Sequence, residues 1–419
     1  MRLNYGKTFL LGFGFFGVSV IWMVYNAFVP LFLEQKFGLA PGWIGFFMTL
    51  DNIAALLIQP PVGAWSDRLR TPIGRRMPFI LIGAPIGALA FGLIPFAAIL
   101  PLFVACTSTL LLSMAIWRTP VVALMPDITP SPLRSQANGI INLMGGLGAI
   151  AATLGGSALY KIDPAYPFWL GSALVIVATV MVFAFIREPK AVGAGEQAPG
   201  LLSSLREVLA DPDRSALRLL LAIFFWFLGY TAVEAFFTLY AVNHLGLANE
   251  DGVRLLGQLS LMFVLFALPA GYIGARIGRR ATIVIGILIL GSMMLGMFLL
   301  PAATLTTRLF AVPVLGEVPV AGLMLMAAGI GWALININSL PMVVDMTSAA
   351  RIGTYTGLYY MFSTFSAIIG PNVNGWIIQL TGNNYNLVMI VAPIFMVVAL
   401  VLMLGVRRGE AASVVQSPV

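Results

Sequence analysis

Gly63-Ala64-Trp65-Ser66-Asp67-Arg68-Leu69-Arg70-Thr71-Pro72-Ile73-Gly74-Arg75-Arg76-Met77-Pro78-Phe79 sets one acid and four arginines between two long apolar runs, in a 419-residue chain of which 9% is charged. An apolar segment of about 20 residues spans a bilayer, so the stretch reads as a tight loop between two membrane helices. Loops rich in Lys and Arg stay on the cytoplasmic side. The pattern returns later in the chain. Pro61-Val62-Gly63-Ala64-Trp65-Ser66-Asp67-Arg68-Leu69, then Gly74-Arg75-Arg76, is echoed by Pro269-Ala270-Gly271-Tyr272-Ile273-Gly274-Ala275-Arg276-Ile277, then Gly278-Arg279-Arg280. The offset is 208 at Gly63/Gly271; the second loop is shorter and has Ala275 where the first has Asp67.

The whole chain is 60% hydrophobic, more apolar surface than a soluble domain can bury, so it reads as a polytopic membrane protein. The formal charge of +7 belongs to cytoplasmic loops and not to a nucleic-acid surface. One cysteine, Cys106, excludes an internal disulfide framework, and one histidine, His244, excludes a His-based metal cluster. No metal or cofactor is expected. Arg2 and Lys7 precede an apolar run from Phe9 without a small-residue cleavage site, which reads as a retained first helix.

Twelve apolar spans follow one another, roughly 8–32, 42–65, 78–98, 101–125, 136–160, 164–186, 216–243, 254–275, 281–301, 320–343, 353–380 and 385–406. With both termini cytoplasmic, 18 of the 23 basic residues fall on the inside, and only Lys36, Lys161, Arg254 and Arg308 fall outside. The segment 187–215 is the one long connection; Leu201-Leu202-Ser203-Ser204-Leu205-Arg206-Glu207-Val208-Leu209 in it has helical apolar spacing and suits a short helix at the inner surface. The expected organisation is a six-helix half over 1–186, a linker over 187–215, a second half over 216–406 and a cytoplasmic tail over 407–419. Asp127 and Asp345, 218 apart, close spans four and ten, and Gly148, Ala152 and Gly156 of span five line up with Ser366, Gly370 and Asn374 of span eleven. Small residues four apart let helices approach closely. The fold class is therefore an all-α membrane protein of twelve transmembrane helices in two pseudo-symmetric halves.

A charge in hydrocarbon costs from about 2.5 to over 10 kcal/mol, so it faces a cavity or a partner. Three charges lie clearly within spans, away from their ends: Asp51, Arg118 and Glu234. Glu234 sits near mid-depth in span seven, where a carboxyl can exchange a proton, accept from a sugar hydroxyl, or hold a structural ion pair. Asp51, in span two, shares a helical face with Asn52 and Gln59 and suits either coupling or an outer gate. Arg118, in span four, carries several donors for hydroxyls or a carboxylate and lies too far along its helix from Asp127 for a ready contact. Sugar recognition needs aromatic faces for C–H groups and amides or carboxyls for hydroxyls. Besides Arg118 and Glu234, the candidates are Tyr25, Asn26, Gln59, Asn138, Asn142, Tyr230, Trp332, Asn336, Asn338, Tyr359 and Asn372, with Trp22 and Asn374 behind them. Asp67, Asp127 and Asp345 sit at inner helix ends beside arginines and suit a cytoplasmic latch. Gly12-Phe13-Gly14-Phe15-Phe16-Gly17 fits a dinucleotide fingerprint but lies in a span with no preceding strand, so it is helix packing.

The loop 63–79 resembles the signature loop of the major facilitator superfamily, with Asp67, Arg68, Arg75 and Arg76 matching that motif as the cytoplasmic gate. Its form Ser-Asp-Arg…Gly-Arg-Arg-x-Pro-Phe is most similar to the sucrose-transporter branch, near the glycoside–cation symporters. Arg118…Asp127 followed by Ser135-Gln136-Ala137-Asn138 is similar to helices four and five of that branch, which implies a central substrate or coupling role for Arg118. The resemblance also implies two parallel six-helix halves, a midplane substrate site and a monomer. Where melibiose-type sodium symporters carry acids, this chain reads Ser19, Ala55 and Gln59, and Thr107 stands where plant sucrose carriers have an acid. A proton is thus expected ahead of sodium, with Glu234, Asp51 and Arg118 as the coupling residues. The expected function is alternating-access transport of a sugar, a disaccharide or glycoside such as sucrose or maltose, in a bacterial inner membrane. Two alternatives keep the fold: an efflux antiporter for lipophilic cations, which the amide-rich spans ten and eleven disfavour, and an uncoupled sugar facilitator. A membrane enzyme lacks a nucleophile–base cluster, and a sensor lacks an appended soluble domain.

Overall fold

A computed structural model describes residues 5–129, 134–186, 201–313, 315–347 and 351–410, except the side chains of 64, 67, 123, 125–128, 134–136, 138–139, 201–204, 207 and 352–353. In chain order the helices are α1 (Tyr5–Gln35), α2 (Pro41–Phe47), α3 (Leu50–Arg68), α4 (Met77–Leu93), α5 (Leu100–Ile128), α6 (Arg134–Ile150), α7 (Gly156–Tyr160), α8 (Tyr166–Phe185), α9 (Leu201–Ala210), α10 (Ser215–Asn243), α11 (Asn249–Ile277), α12 (Arg279–Leu299) and α13 (Ala302–Leu305). A two-stranded hairpin follows, β1 (Arg308–Val312) with β2 (Gly316–Pro319), then α14 (Val320–Val344), α15 (Ile352–Leu380) and α16 (Val388–Leu404).

Among the described residues, eleven helical spans are long and apolar enough to cross a membrane. The one expected span not among them is the eleventh, α15, whose 29 residues reach about 43 Å at 1.5 Å per residue, but whose Ser, Thr, Asn and Gly content dilutes its hydropathy. The expected spans agree with the helices to within a few residues. Three details lie beyond them. The second span is broken into α2 and α3. The fifth runs from α6 through a π turn at Ala151–Gly155 into α7, where Thr153 Oγ1 donates back to the Ala149 carbonyl at 2.8 Å. The connection from α12 to α14 is built around the hairpin.

The residues cluster into two units. The first comprises Met1–Ala194, Phe237–Gly257 and Pro313–Gly316. In it α1 packs on α6 and α8, α4 on α5 and α8, and α3 on α5. Its core is aromatic: Phe168 meets Phe91 at 4.9 Å and Phe32 at 5.6 Å, and Phe28 stacks on Tyr160 at 4.3 Å. The second comprises Gly195–Phe236, Gln258–Val312 and Glu317–Val419, with α12 packed on α14 and α16 and α14 on α15.

Internal packing repeats at the offsets seen in the sequence. A Cβ on Gly63 would stand 3.3 Å from Thr119, and one on Gly271 would stand 3.5 Å from Ile337. Gly271 follows Gly63 by 208 and Ile337 follows Thr119 by 218, so the same contact is built twice. Pro61 in α3 and Pro269 in α11 keep the 208 offset inside their helices. So do Gly38 and Gly246, both left-handed at φ +62° and +69°, in Phe37-Gly38-Leu39-Ala40 and Leu245-Gly246-Leu247-Ala248.

The small face of span five is tight where α6 crosses α1: a Cβ on Gly148 would lie 2.5 Å from the Phe16 carbonyl oxygen, while Gly155 has open space. Gly148→Val should therefore lower stability by about 1–3 kcal/mol, read as a drop in thermal unfolding midpoint in detergent. Gly155→Ala should leave the midpoint within about a degree of the native protein, because the added methyl meets nothing.

Candidate functional site

In the first unit, three helices bring polar groups together. Asp51 stands in the first turn of α3, and Asn52 Nδ2 donates to its Oδ1 at 2.8 Å. Arg118 on α5 lies within electrostatic reach of Asp51. Tyr25 on α1 is fully buried, interacts electrostatically with Asp51 and has a hydroxyl with no hydrogen-bond partner among the described residues. Trp22 sets its ring edge-on to Tyr25 at 6.1 Å. Asn26 and Gln59 are half-buried on α1 and α3, and Asn142 is exposed on α6. The Asn138 side chain lies outside the described residues.

In the second unit an aromatic cluster joins α10, α14 and α15. Tyr230 stacks on Trp332 with centroids 3.9 Å apart and planes 2° from parallel. Phe227, one turn earlier, meets Trp332 edge-on at 5.2 Å and Tyr359 edge-on at 6.1 Å. The Tyr359 hydroxyl lies 3.2 Å from Ser339 Oγ. Glu234, one turn beyond Tyr230, interacts with it electrostatically. Asn336, one turn beyond Trp332, is half-buried. Phe227 and Ser339 were not among the residues picked from sequence; their signal is spacing, since 227, 230 and 234 share one face of α10 and 332, 336 and 339 one face of α14.

Other amides of spans ten and eleven turn to the backbone. Asn338 Nδ2 donates to the Ala270 carbonyl of α11 at 3.0 Å and to Leu334 at 2.9 Å. Asn374 Nδ2 donates to Ala232 at 2.7 Å, Asn372 Nδ2 to Ile368 at 2.8 Å and Ser366 Oγ to Phe224 at 2.7 Å.

At the motif loops, Arg76 is buried and donates to Ser66 Oγ at 3.3 Å, and Ser66 Oγ donates to the Gly63 carbonyl at 2.8 Å. Arg68 is exposed and Arg75 half-buried. Asp345, at the end of α14, forms an ion pair with Arg279 at the start of α12. The side chains of Asp67 and Asp127 lie outside the described residues.

At the opposite end of the first unit, a polar cluster absent from the sequence reading ties α1 and α7 to α10 and α11. The Glu34 carboxylate accepts from Asn243 Nδ2 at 2.9 Å. The Gln35 and Asn249 amides exchange two hydrogen bonds of 2.9 and 3.0 Å. Ser157 Oγ donates to the Glu250 carbonyl at 2.7 Å. Beside it His244 stacks on Tyr240 at 5.2 Å, and partial burial pushes its imidazole below the ordinary value. Among the described residues no group of three or more His, Cys, Asp or Glu side chains could hold a metal ion.

A family model described as Major Facilitator Superfamily matches residues 11–337 and 255–418. YegT of Escherichia coli (strain K12), whose name assigns it provisionally to nucleoside transport, is 26% identical over 65% of this chain and 64% of its own length. Sucrose transport protein SUC3 of Arabidopsis thaliana is 33% identical over 20% of this chain and 14% of its own length. The chain thus spans under two thirds of either relative. A crystal structure of a bacterial homologue of the human lysosomal transporter Spinster, inward-facing and occupied, superposes with a TM-score of 0.76 over 99% of this chain and 100% of that one, at 15% identity, which is a likeness of fold.

The hydrogen bonds of Asn338 give a direct test of whether that amide holds helices or substrate. Asn338→Ala should lower stability by about 1 kcal/mol, the net worth of an interhelical amide bond, read as a lower unfolding midpoint. An unchanged midpoint would overturn the packing role.

Proposed function

The chain belongs to the Major Facilitator Superfamily, and from that premise we propose that it carries a sugar or glycoside across the membrane by alternating access, in symport with protons. The observation that carries this reading is the meeting of flat rings and polar groups on α10, α14 and α15: the Tyr230–Trp332 stack, Glu234 one turn away, and the Tyr359–Ser339 hydroxyl pair. Aromatic faces suit the C–H side of a pyranose ring, and carboxylates, amides and hydroxyls suit its edge. Arg118 and Asp51, with Tyr25 beside them, offer a second polar group on α1, α3 and α5. The sucrose-transport name of one relative supports the sugar assignment.

In this mechanism Glu234 takes up and releases the proton, Arg118 links that change to substrate, and Asp51 is a second proton site. Sodium ranks below the proton, because sodium wants several oxygen ligands including carboxylates, and Ser19, Ala55 and Gln59 supply no carboxylate. Asp67, Arg68, Arg75 and Arg76 with Asp127 form the gate of the first half, and Asp345 with Arg279 that of the second. The halves are 1–186 and 216–406, joined by the linker 187–215. The protein works as a monomer in a bacterial inner membrane, with both termini and the motif loops in the cytoplasm, where most of the basic residues then fall.

A nucleoside is the second reading. It is favoured by the breadth of the YegT match, 65% of the chain against 20% for the sucrose carrier. A nucleoside combines ribose hydroxyls with a flat base, and the same rings and polar groups suit both parts.

Uptake of labelled sucrose, maltose and uridine into proteoliposomes, with and without an inward proton gradient, tests the proposal. The native protein should accumulate one of the sugars only with the gradient. Glu234→Gln should lose accumulation but keep downhill flux. Gradient-indifferent sugar flux in both proteins would make it a facilitator; uridine uptake alone would select the nucleoside reading.

A further inference from the structure

The second Gly-Arg-Arg turn has lost its acid, since Ala275 stands where the first copy has Asp67. Yet a carboxylate reaches it from another part of the chain. Glu410 accepts from the backbone N–H of Arg279 at 2.7 Å through one oxygen and from that of Arg280 at 3.0 Å through the other. These are the first two residues of α12, whose N–H groups have no partner within the helix. A negative charge there also meets the favourable end of the helix dipole. The same arginines reach outward through their side chains. Arg279 pairs with Asp345 at the end of α14, and Arg280 donates to the Met403 carbonyl at 3.1 Å and the Leu404 carbonyl at 2.6 Å, at the end of α16.

The segment 405–410 that carries Glu410 is tied down along its length. Arg218 of α10 donates to the Gly405 carbonyl at 2.6 Å. The Arg407 N–H donates to Ser215 Oγ, at the start of α10, at 3.0 Å. Arg408 bridges Asp211, at 2.8 Å, and Asp213. Asp213 in turn accepts from the Ser215 N–H at 2.9 Å. The hydrogen bond from Arg408 holds the Asp211 carboxyl below its usual range. Gly409, left-handed at φ +95°, lies flat on α14, where a Cβ would stand 2.7 Å from the Met342 carbonyl oxygen. Gly278, left-handed at φ +93°, is the single residue between α11 and α12, and a Cβ on it would meet the Glu410 carboxylate at 3.1 Å. Two backbone sites on the path of one short segment thus favour glycine, both by their left-handed φ and Gly409 also by its contact with the Met342 carbonyl.

We propose that residues 405–410 are a clasp that joins the motif-loop ends of α10, α12, α14 and α16 into one mechanical body, with Glu410 supplying the acid that the second Gly-Arg-Arg turn lacks. A plain helix cap would steady α12 alone. A clasp makes the four helix ends share one fate, because the segment runs on from α16, is fixed to α10 through Gly405 and Arg407, lies on α14 at Gly409 and holds α12 through Glu410, all in one covalent stretch. The exposed ion pairs of Arg408 contribute little by themselves; the backbone bonds of Glu410 and Arg407 and the fit of Gly409 set the segment's path.

Backbone amide exchange on the purified full-length protein, followed by mass spectrometry, tests this without a substrate. Glu410→Ala should speed exchange at Arg279 and Arg280 about tenfold. It should also speed exchange by at least threefold at Ser215 and Arg407, and in the last turn of α14, none of which touches Glu410. Glu410→Asp, one methylene shorter, should fall between the native protein and Glu410→Ala. Should Glu410→Ala not fold, Glu410→Gln carries the same comparison. Faster exchange confined to Arg279 and Arg280 would reduce Glu410 to a local cap and overturn the clasp, as would exchange unchanged throughout.

Discussion

A bilayer offers a polar group no water, so a group that finds no partner inside the protein is costly. The backbone meets this demand by folding into helices. The side chains meet it by turning on neighbouring helices, and this accounts for much of the Asn and Ser in α14 and α15. Asn338, Asn374 and Ser366 each donate to a carbonyl of another helix. An amide that donates to a carbonyl already bonded within its own helix adds a contact without costing that carbonyl its helical bond. Residue type therefore says that a polar side chain has a partner, while helix face says whether that partner is protein or substrate. Asn336 and Asn338 are two residues apart and point to different sides of α14; the first shares its face with Trp332 and Ser339, and the second is fixed to Ala270.

This is also the line between what the sequence discloses and what it does not. The spans could be read because a membrane demands length and apolarity together, and the repeat could be read because close packing demands small residues at fixed places. Gly63 and Gly271, chosen for their motif, are points where α3 packs on α5 and α11 on α14, a Cβ there standing 3.3 Å from Thr119 and 3.5 Å from Ile337. The π turn after Ile150 carries no such signature, since its residues are ordinary helix formers and only the bonding pattern shifts. The link from Glu410 to α12 joins residues about 130 apart through a segment that looks like a polar tail. The aromatic cluster was half legible: Tyr230, Trp332 and Tyr359 stand out as rings among amides, but Phe227 looks like any lipid-facing phenylalanine until Trp332 is found against its edge.

The repeat also bears on the charges. If the offsets of 208 and 218 hold around the packing glycines, the counterpart of Glu234 is Asn26, that of Arg118 is Asn336, and that of Asp51 is Leu259. None of the three charges within the membrane has a charged sister. Each half builds the same helix crossings, with Thr119 against Gly63 in one and Ile337 against Gly271 in the other, so the crossings do not depend on an ion at these positions. A charge held in hydrocarbon costs several kcal/mol. The fold manages with an amide or a leucine at the equivalent place, so a structural ion pair is the weaker explanation of Glu234, Arg118 and Asp51, and a role in the transport cycle is the stronger one. The packing residues, by contrast, recur because both halves need them. Where the halves agree the chain is building its scaffold, and the charges that differ are not needed for it.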